Sequence, residues 1–156
     1  MNALLHEQQA LLARQLIVLQ RLQNGLLYTH QRLPQILDID DLEQPELAER
    51  VAALNDRFTK LQDQFAAALR HAHSMTGERY RSFLDVTIWA VQYDIIATPE
   101  DWLELRALRN RLTHDYDLDY ADVIEIIHTL RTSIANLTGM TERFAHFCQH
   151  HGLLPA

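Results

Sequence analysis

The sequence predicts an all-α protein, an antiparallel bundle of about five helices. Three observations point to it. Apolar residues recur in steps of three and four over long stretches, as one face of a helix requires. The 156 residues include only four glycines and four prolines, too few for a β architecture of many turns. The connections between the periodic stretches are mostly short, which turns consecutive helices back against one another.

Leu4 to Leu33 reads as one long helix. Leu5, Leu12, Leu19, Leu26 and Leu33 repeat every seven residues, with Leu4, Leu11 and Val18 beside them. A stripe this broad can face more than one neighbour. Pro34 to Pro45 carries Asp38, Asp40, Asp41 and Glu43 and reads as a loop. Pro45 suits the first turn of the next helix, where a missing N–H leaves no bond unmade. From Glu46 to His73 the periodicity is cleanest, through Leu47, Val51, Leu54, Phe58, Leu61, Phe65 and Leu69. Ser74 to Glu78 contains Gly77 and ends it.

Arg81 to Asp94 predicts a shorter helix with Phe83, Leu84, Ile88 and Val91 on its apolar face. Its run Val86-Thr87-Ile88-Trp89 is β-branched, but no hairpin signal flanks it. Thr98-Pro99-Glu100-Asp101 is a helix start: a capping hydroxyl, a proline at the first position, and two acids at the positive end of the helix dipole. Asp119 is the expected cap of a last long helix. There Val123, Leu130, Leu137 and Phe144 repeat by seven, as do Ile127 and Ile134. The stripes on the first and last helices suit either the protomer's own core or a helical dimer interface.

Length and composition set the class. A chain of this size is most simply one domain, residues 1–156, and about 70% of its unfolded surface can be buried. Cys148 is the only cysteine, so no intrachain disulfide forms and a cytoplasmic setting is expected. The start of the chain lacks a basic segment and a cleavage site, and the apolar runs are short; neither a signal peptide nor a membrane span is expected. A net charge of −7 argues against a large non-specific nucleic-acid surface. The cations are thirteen arginines and one lysine, Lys60. Arginine favours forked ion pairs, and these are read first as ion pairs on helix surfaces.

One stretch looks built for chemistry: Arg109-Asn110-Arg111-Leu112-Thr113-His114-Asp115-Tyr116. Arginine carries a permanent charge and a fork of donors that fits phosphate oxygens. Histidine is the side chain best suited to move protons near neutral pH. RNA supplies its own nucleophile, the 2′-hydroxyl. Cleavage then needs a base for that proton, an acid for the leaving 5′-oxygen, and a cation over the phosphorane. His114 fits the first two roles and Arg109 the third. Asn110 can orient either, and the Tyr116 hydroxyl can touch phosphate or ribose. Within a regular helix, five residues turn by roughly 140° net and climb about 7.5 Å, so Arg109 and His114 point to different sides. They converge more easily if the helix ends near His114, or if a two-fold partner supplies the second set.

Arg109, Asn110, His114 and Tyr116 resemble the signature Arg-x-x-x-x-His-x-Tyr of the HEPN superfamily, in particular the HepT-like toxin ribonucleases. Asn55-Asp56-Arg57-Phe58-Thr59-Lys60-Leu61-Gln62-Asp63, Ser82-Phe83-Leu84-Asp85 and Trp102-Leu103-Glu104-Leu105-Arg106 are similar to the same family. The resemblance implies a HEPN-like bundle and a homodimeric, metal-independent endoribonuclease acting on RNA, the toxin of a toxin–antitoxin pair. It implies a minimal nucleotidyltransferase antitoxin that silences the toxin by AMPylation of the motif tyrosine, here Tyr116. The alternative it leaves is a non-catalytic substrate-binding subunit of a nucleotidyltransferase. Asp115, Asp117, Asp119 and Asp122 crowd the motif and are expected to repel phosphate.

Other signals are weaker. Asp115-x-Asp117-x-Asp119 begins like a calcium loop, but Tyr120 stands where glycine is needed and Ile126 where glutamate is needed. His146 and His150, four apart with His151 adjacent, lack a further ligand at matching spacing; the same holds for His71 and His73. Cys148 falls on the apolar stripe of Ile127 and Ile134 and reads as a packed residue. Neither a metal nor a cofactor is expected.

Overall fold

The structure, a computed structural model, describes residues 2–114 and 119–156. Among these residues it contains five α-helices and one short 3-10 helix: α1 (Ala3–Gln31), the 3-10 turn (Ile39–Glu43), α2 (Pro45–Met75), α3 (Phe83–Gln92), α4 (Pro99–His114) and α5 (Tyr120–His150). The all-α bundle expected from periodicity is what forms. None of these helices is long and apolar enough to cross a membrane.

The breaks follow local chemistry. Pro45 is the first residue of α2. The acidic segment before it is not a plain loop. The Asp38 carboxylate accepts the Ile39 N–H at 2.6 Å, and Asp41 accepts the Asp38 N–H at 2.8 Å. This reciprocal pair folds Ile39–Glu43 into a 3-10 turn that buries Leu42. Gly77 takes φ +80 after α2, a backbone state that glycine reaches without a Cβ clash. The Thr98 hydroxyl accepts the Asp101 N–H at 3.3 Å while Asp101 accepts the Thr98 N–H at 3.2 Å, the box that starts α4. Asp119 caps α5 by accepting the Asp122 N–H at 2.9 Å.

Side-chain contacts set the helix directions. His71 of α2 meets the Gln8 carbonyl near the start of α1, and Arg50 donates to the Arg32 carbonyl just past its end, so α1 and α2 run antiparallel. Gln23 meets Thr141 and Arg131 meets His30, so α5 runs antiparallel to α1. Phe65 packs on Trp102 and Gln62 on Leu105, so α4 runs antiparallel to α2. Helix α2 touches every other element and forms the centre. Its predicted stripe from Val51 to Leu69 is buried throughout. Phe65 sits edge-on to both Trp102 and Phe144, with centroids 5.8 Å away in each case.

Two expectations change. On α3 the buried face is Val86, Thr87, Trp89 and Ala90, whereas Leu84 and Ile88 are exposed. The helix is apolar on several sides, and the large Trp89 ring decides the face by packing against His73 and Phe147. The heptad stripe of α5 is not available for a dimer. Val123, Ile127, Leu130, Ile134, Leu137 and Phe144 are all buried in this chain's own core. On α1 the stripe divides: Leu12, Leu19 and Leu26 go inward, while Leu4, Leu11, Ile17 and Val18 remain exposed.

The arginines also depart from expectation. Among the described residues only Lys60–Asp56, Arg106–Asp63 and Arg109–Asp63 form ion pairs. Several arginines instead donate to backbone carbonyls in other parts of the fold: Arg57 to Gly25, Arg131 to Pro34, Arg143 to Ile95. Arg57 also binds the Thr29 hydroxyl. A guanidinium has five donors in a fixed fork, so one side chain satisfies several acceptors where two elements meet.

Candidate active site on helix α4

Helix α4 is held against α2 by two adjacent polar residues. Gln62, fully buried, donates through Nε2 to the Leu105 carbonyl at 2.7 Å. Asp63 lies next to it and receives two arginines. Its Oδ1 accepts from Arg106 Nη1 at 3.0 Å and from Arg109 Nε at 3.3 Å, and its Oδ2 accepts from Arg109 Nη2 at 3.0 Å. Arg106 and Arg109 are three apart and share a helix face. Leu105, Leu108 and Leu112 anchor the opposite side of α4 in the core. Arg106 also lies over the Trp102 ring, 5.6 Å from its centroid.

The electrostatics follow from two cations on one anion. Burial pushes the Asp63 carboxyl up, but hydrogen bonds from Arg109 and Arg106, and then their charges, outweigh it; the group ends below its ordinary value. The Asp63 hydrogen bond raises the Arg109 guanidinium above its own ordinary value, against a smaller effect of burial. The cluster keeps one net positive charge. Arg109 uses Nε and Nη2 on Asp63, and its Nη1 makes no hydrogen bond among the described residues. Its side chain is 26% exposed, so solvent or a ligand reaches it. A pre-oriented, partly dry guanidinium with spare donors is suited to a phosphate oxygen.

The helix ends at His114, the simpler of the two ways of bringing Arg109 and His114 together. The His114 side chain and Tyr116 lie outside the described residues, as do Asp115 and Asp117. Asn110 is exposed one step beyond Arg109. The Thr113 hydroxyl bonds back to the Arg109 carbonyl at 3.1 Å and supports the last turn. Of the acids expected to repel phosphate, Asp119 spends its carboxylate on capping α5.

Sequence reasoning gave Asp63 and Arg106 no role, although both lie in stretches that resemble the family. The arginine spacing on one helix face was a readable signal; the carboxylate 46 residues away was not. Among the described residues, no group of three or more His, Cys, Asp or Glu side chains is placed to hold a metal. His150 and His151 each turn Nδ1 to a backbone carbonyl of α5, those of His146 and Phe147. Cys148 is fully buried and its thiol is pushed up to about 12 by desolvation, the state of a packed residue rather than a nucleophile.

Compared with known proteins, the chain matches no family model, no curated protein and no solved structure.

Proposed function

We propose that this chain is a metal-independent endoribonuclease, the toxin of a toxin–antitoxin pair, with Arg109 and His114 as its catalytic residues. The observation that carries the reading is Arg109, locked by Asp63 on the last turns of α4, in a cluster with surplus positive charge, just before a histidine that ends the helix. In the proposed reaction the RNA 2′-oxygen attacks the adjacent phosphorus and the bond to the 5′-oxygen breaks. One histidine takes the 2′-hydroxyl proton; a second proton goes to the departing 5′-oxygen. The products are a 2′,3′-cyclic phosphate and a 5′-hydroxyl. Arg109 holds the phosphate and offsets the charge that builds on its oxygens. Asn110 orients the phosphate, and Tyr116 touches the RNA or accepts AMP from a nucleotidyltransferase antitoxin.

A homodimer supplies two histidines to one cleft, one as base and one as acid. The exposed row Leu4, Leu11 and Val18 on α1, at heptad spacing, supports self-association. Light scattering at micromolar concentration should report about twice the 18.1 kDa chain mass; a strict monomer contradicts the shared cleft.

The cellular test is expression of the chain without a partner. Growth should stop with the wild-type chain and continue with His114→Ala at equal protein level. Unimpaired growth with the wild-type chain would favour the non-catalytic subunit of a nucleotidyltransferase.

A further inference from the structure

A second site lies apart from Arg109, where the end of α2, the turn after it and α3 meet. His73 is ten residues beyond Asp63 on α2, about 15 Å along the helix. Its ring is 1% exposed and meets the Trp89 ring edge-on, with centroids 5.5 Å apart. Trp89 is 2% exposed. Neither His73 Nδ1 nor Trp89 Nε1 has a hydrogen-bond partner among the described residues. Buried polar atoms are rarely left so, because each has lost its water. Both side chains line one cavity of about 260 Å³, with Arg79 and Arg81 on its wall.

The turn is arranged to bring those arginines there. Residues 78–80 have no regular structure, and an extended chain sends alternate side chains to opposite sides. Tyr80 goes to Arg70, whose guanidinium lies 5.5 Å from its ring centroid. Its neighbours Arg79 and Arg81 both go to the cavity. Two carboxylates also line it. Asp85 is engaged by the Arg81 N–H at 3.0 Å. Glu78 is exposed, where water screens its charge.

We propose that this cavity binds a phosphate group, held by Trp89 Nε1, His73 Nδ1 and the guanidiniums of Arg79 and Arg81. An indole N–H only donates, so the ligand must present an acceptor. Two forked cations and two ring nitrogens, coming from α2, α3 and the turn, suit the several oxygens of phosphate better than the two of a carboxylate.

The test follows the indole N–H resonances of the ¹⁵N-labelled full chain while inorganic phosphate is added at constant ionic strength, with acetate in a parallel series. The Trp89 resonance should move saturably with phosphate while that of Trp102 serves as reference. Replacing both exposed arginines, Arg79→Ala with Arg81→Ala, should weaken binding at least about tenfold. A Trp89 resonance that phosphate leaves in place, as in a cavity holding only water, overturns the proposal. So does an equal response to acetate, or binding untouched by the double substitution. RNA cleavage plays no part in the readout, so the result stands independently of the ribonuclease reading.

Discussion

Phe65→Ala should destabilise the bundle by about 3–5 kcal/mol. Phe65 is fully buried on α2, the helix that touches every other element, and its ring meets Trp102 of α4 and Phe144 of α5 edge-on. Removing it takes apolar surface out of the core and leaves a cavity bounded by two large rigid rings that refill it poorly. The loss falls where three helices meet, so the whole bundle should weaken rather than one end. In a chain of this length it corresponds to a fall in Tm on the order of 10 °C. Urea unfolding followed by circular dichroism checks it. A loss below about 1 kcal/mol would mean that these rings do not pack as described.

Arg109→Ala and His114→Ala should each lower RNA cleavage by on the order of 10²-fold or more, the usual cost of removing a charge-stabilising donor or an acid–base group. Loss of folding should not account for it. Arg109 and Asp63 are partly exposed, 26% and 39% at the side chain, so the pair contributes about 1 kcal/mol at most. Arg106 still holds Asp63 in the Arg109 variant. Arg109→Lys keeps the charge but loses the two-pronged grip on Asp63, so it should recover only part of the activity. Cleavage rates measured beside melting curves separate the two effects. Variants that melt well below wild type yet cut normally when folded would make both residues structural.

The parts of this fold that could be read from sequence are those with one dominant face. The α2 stripe alternates in threes and fours with polar residues between, so only one side can go inward, and it does. Caps at Thr98 and Asp119 were legible because capping needs only neighbours in sequence. Helix α3 was not legible in its facing, because it is apolar on several sides and the Trp89 ring chooses among partners from α2 and α5. The α5 heptads suited a dimer seam and a bundle core equally, since both use nearly the same spacing; only the packed structure shows them filled from within. At the site, Arg109 and Asn110 could be picked out by type and spacing. The grip of Asp63 on Arg106 and Arg109 depends on α2 meeting α4, which spacing along the chain does not encode.

The central claim is that Arg109 and His114 cut RNA with no metal. Its most direct measurement is incubation of purified chain with end-labelled single-stranded RNA in EDTA, beside His114→Ala prepared identically, with the product ends identified. The account predicts cleavage by the wild-type chain alone, leaving 2′,3′-cyclic phosphate and 5′-hydroxyl ends. Intact RNA in EDTA with cutting restored only by a divalent metal, or equal cutting by His114→Ala, would contradict it.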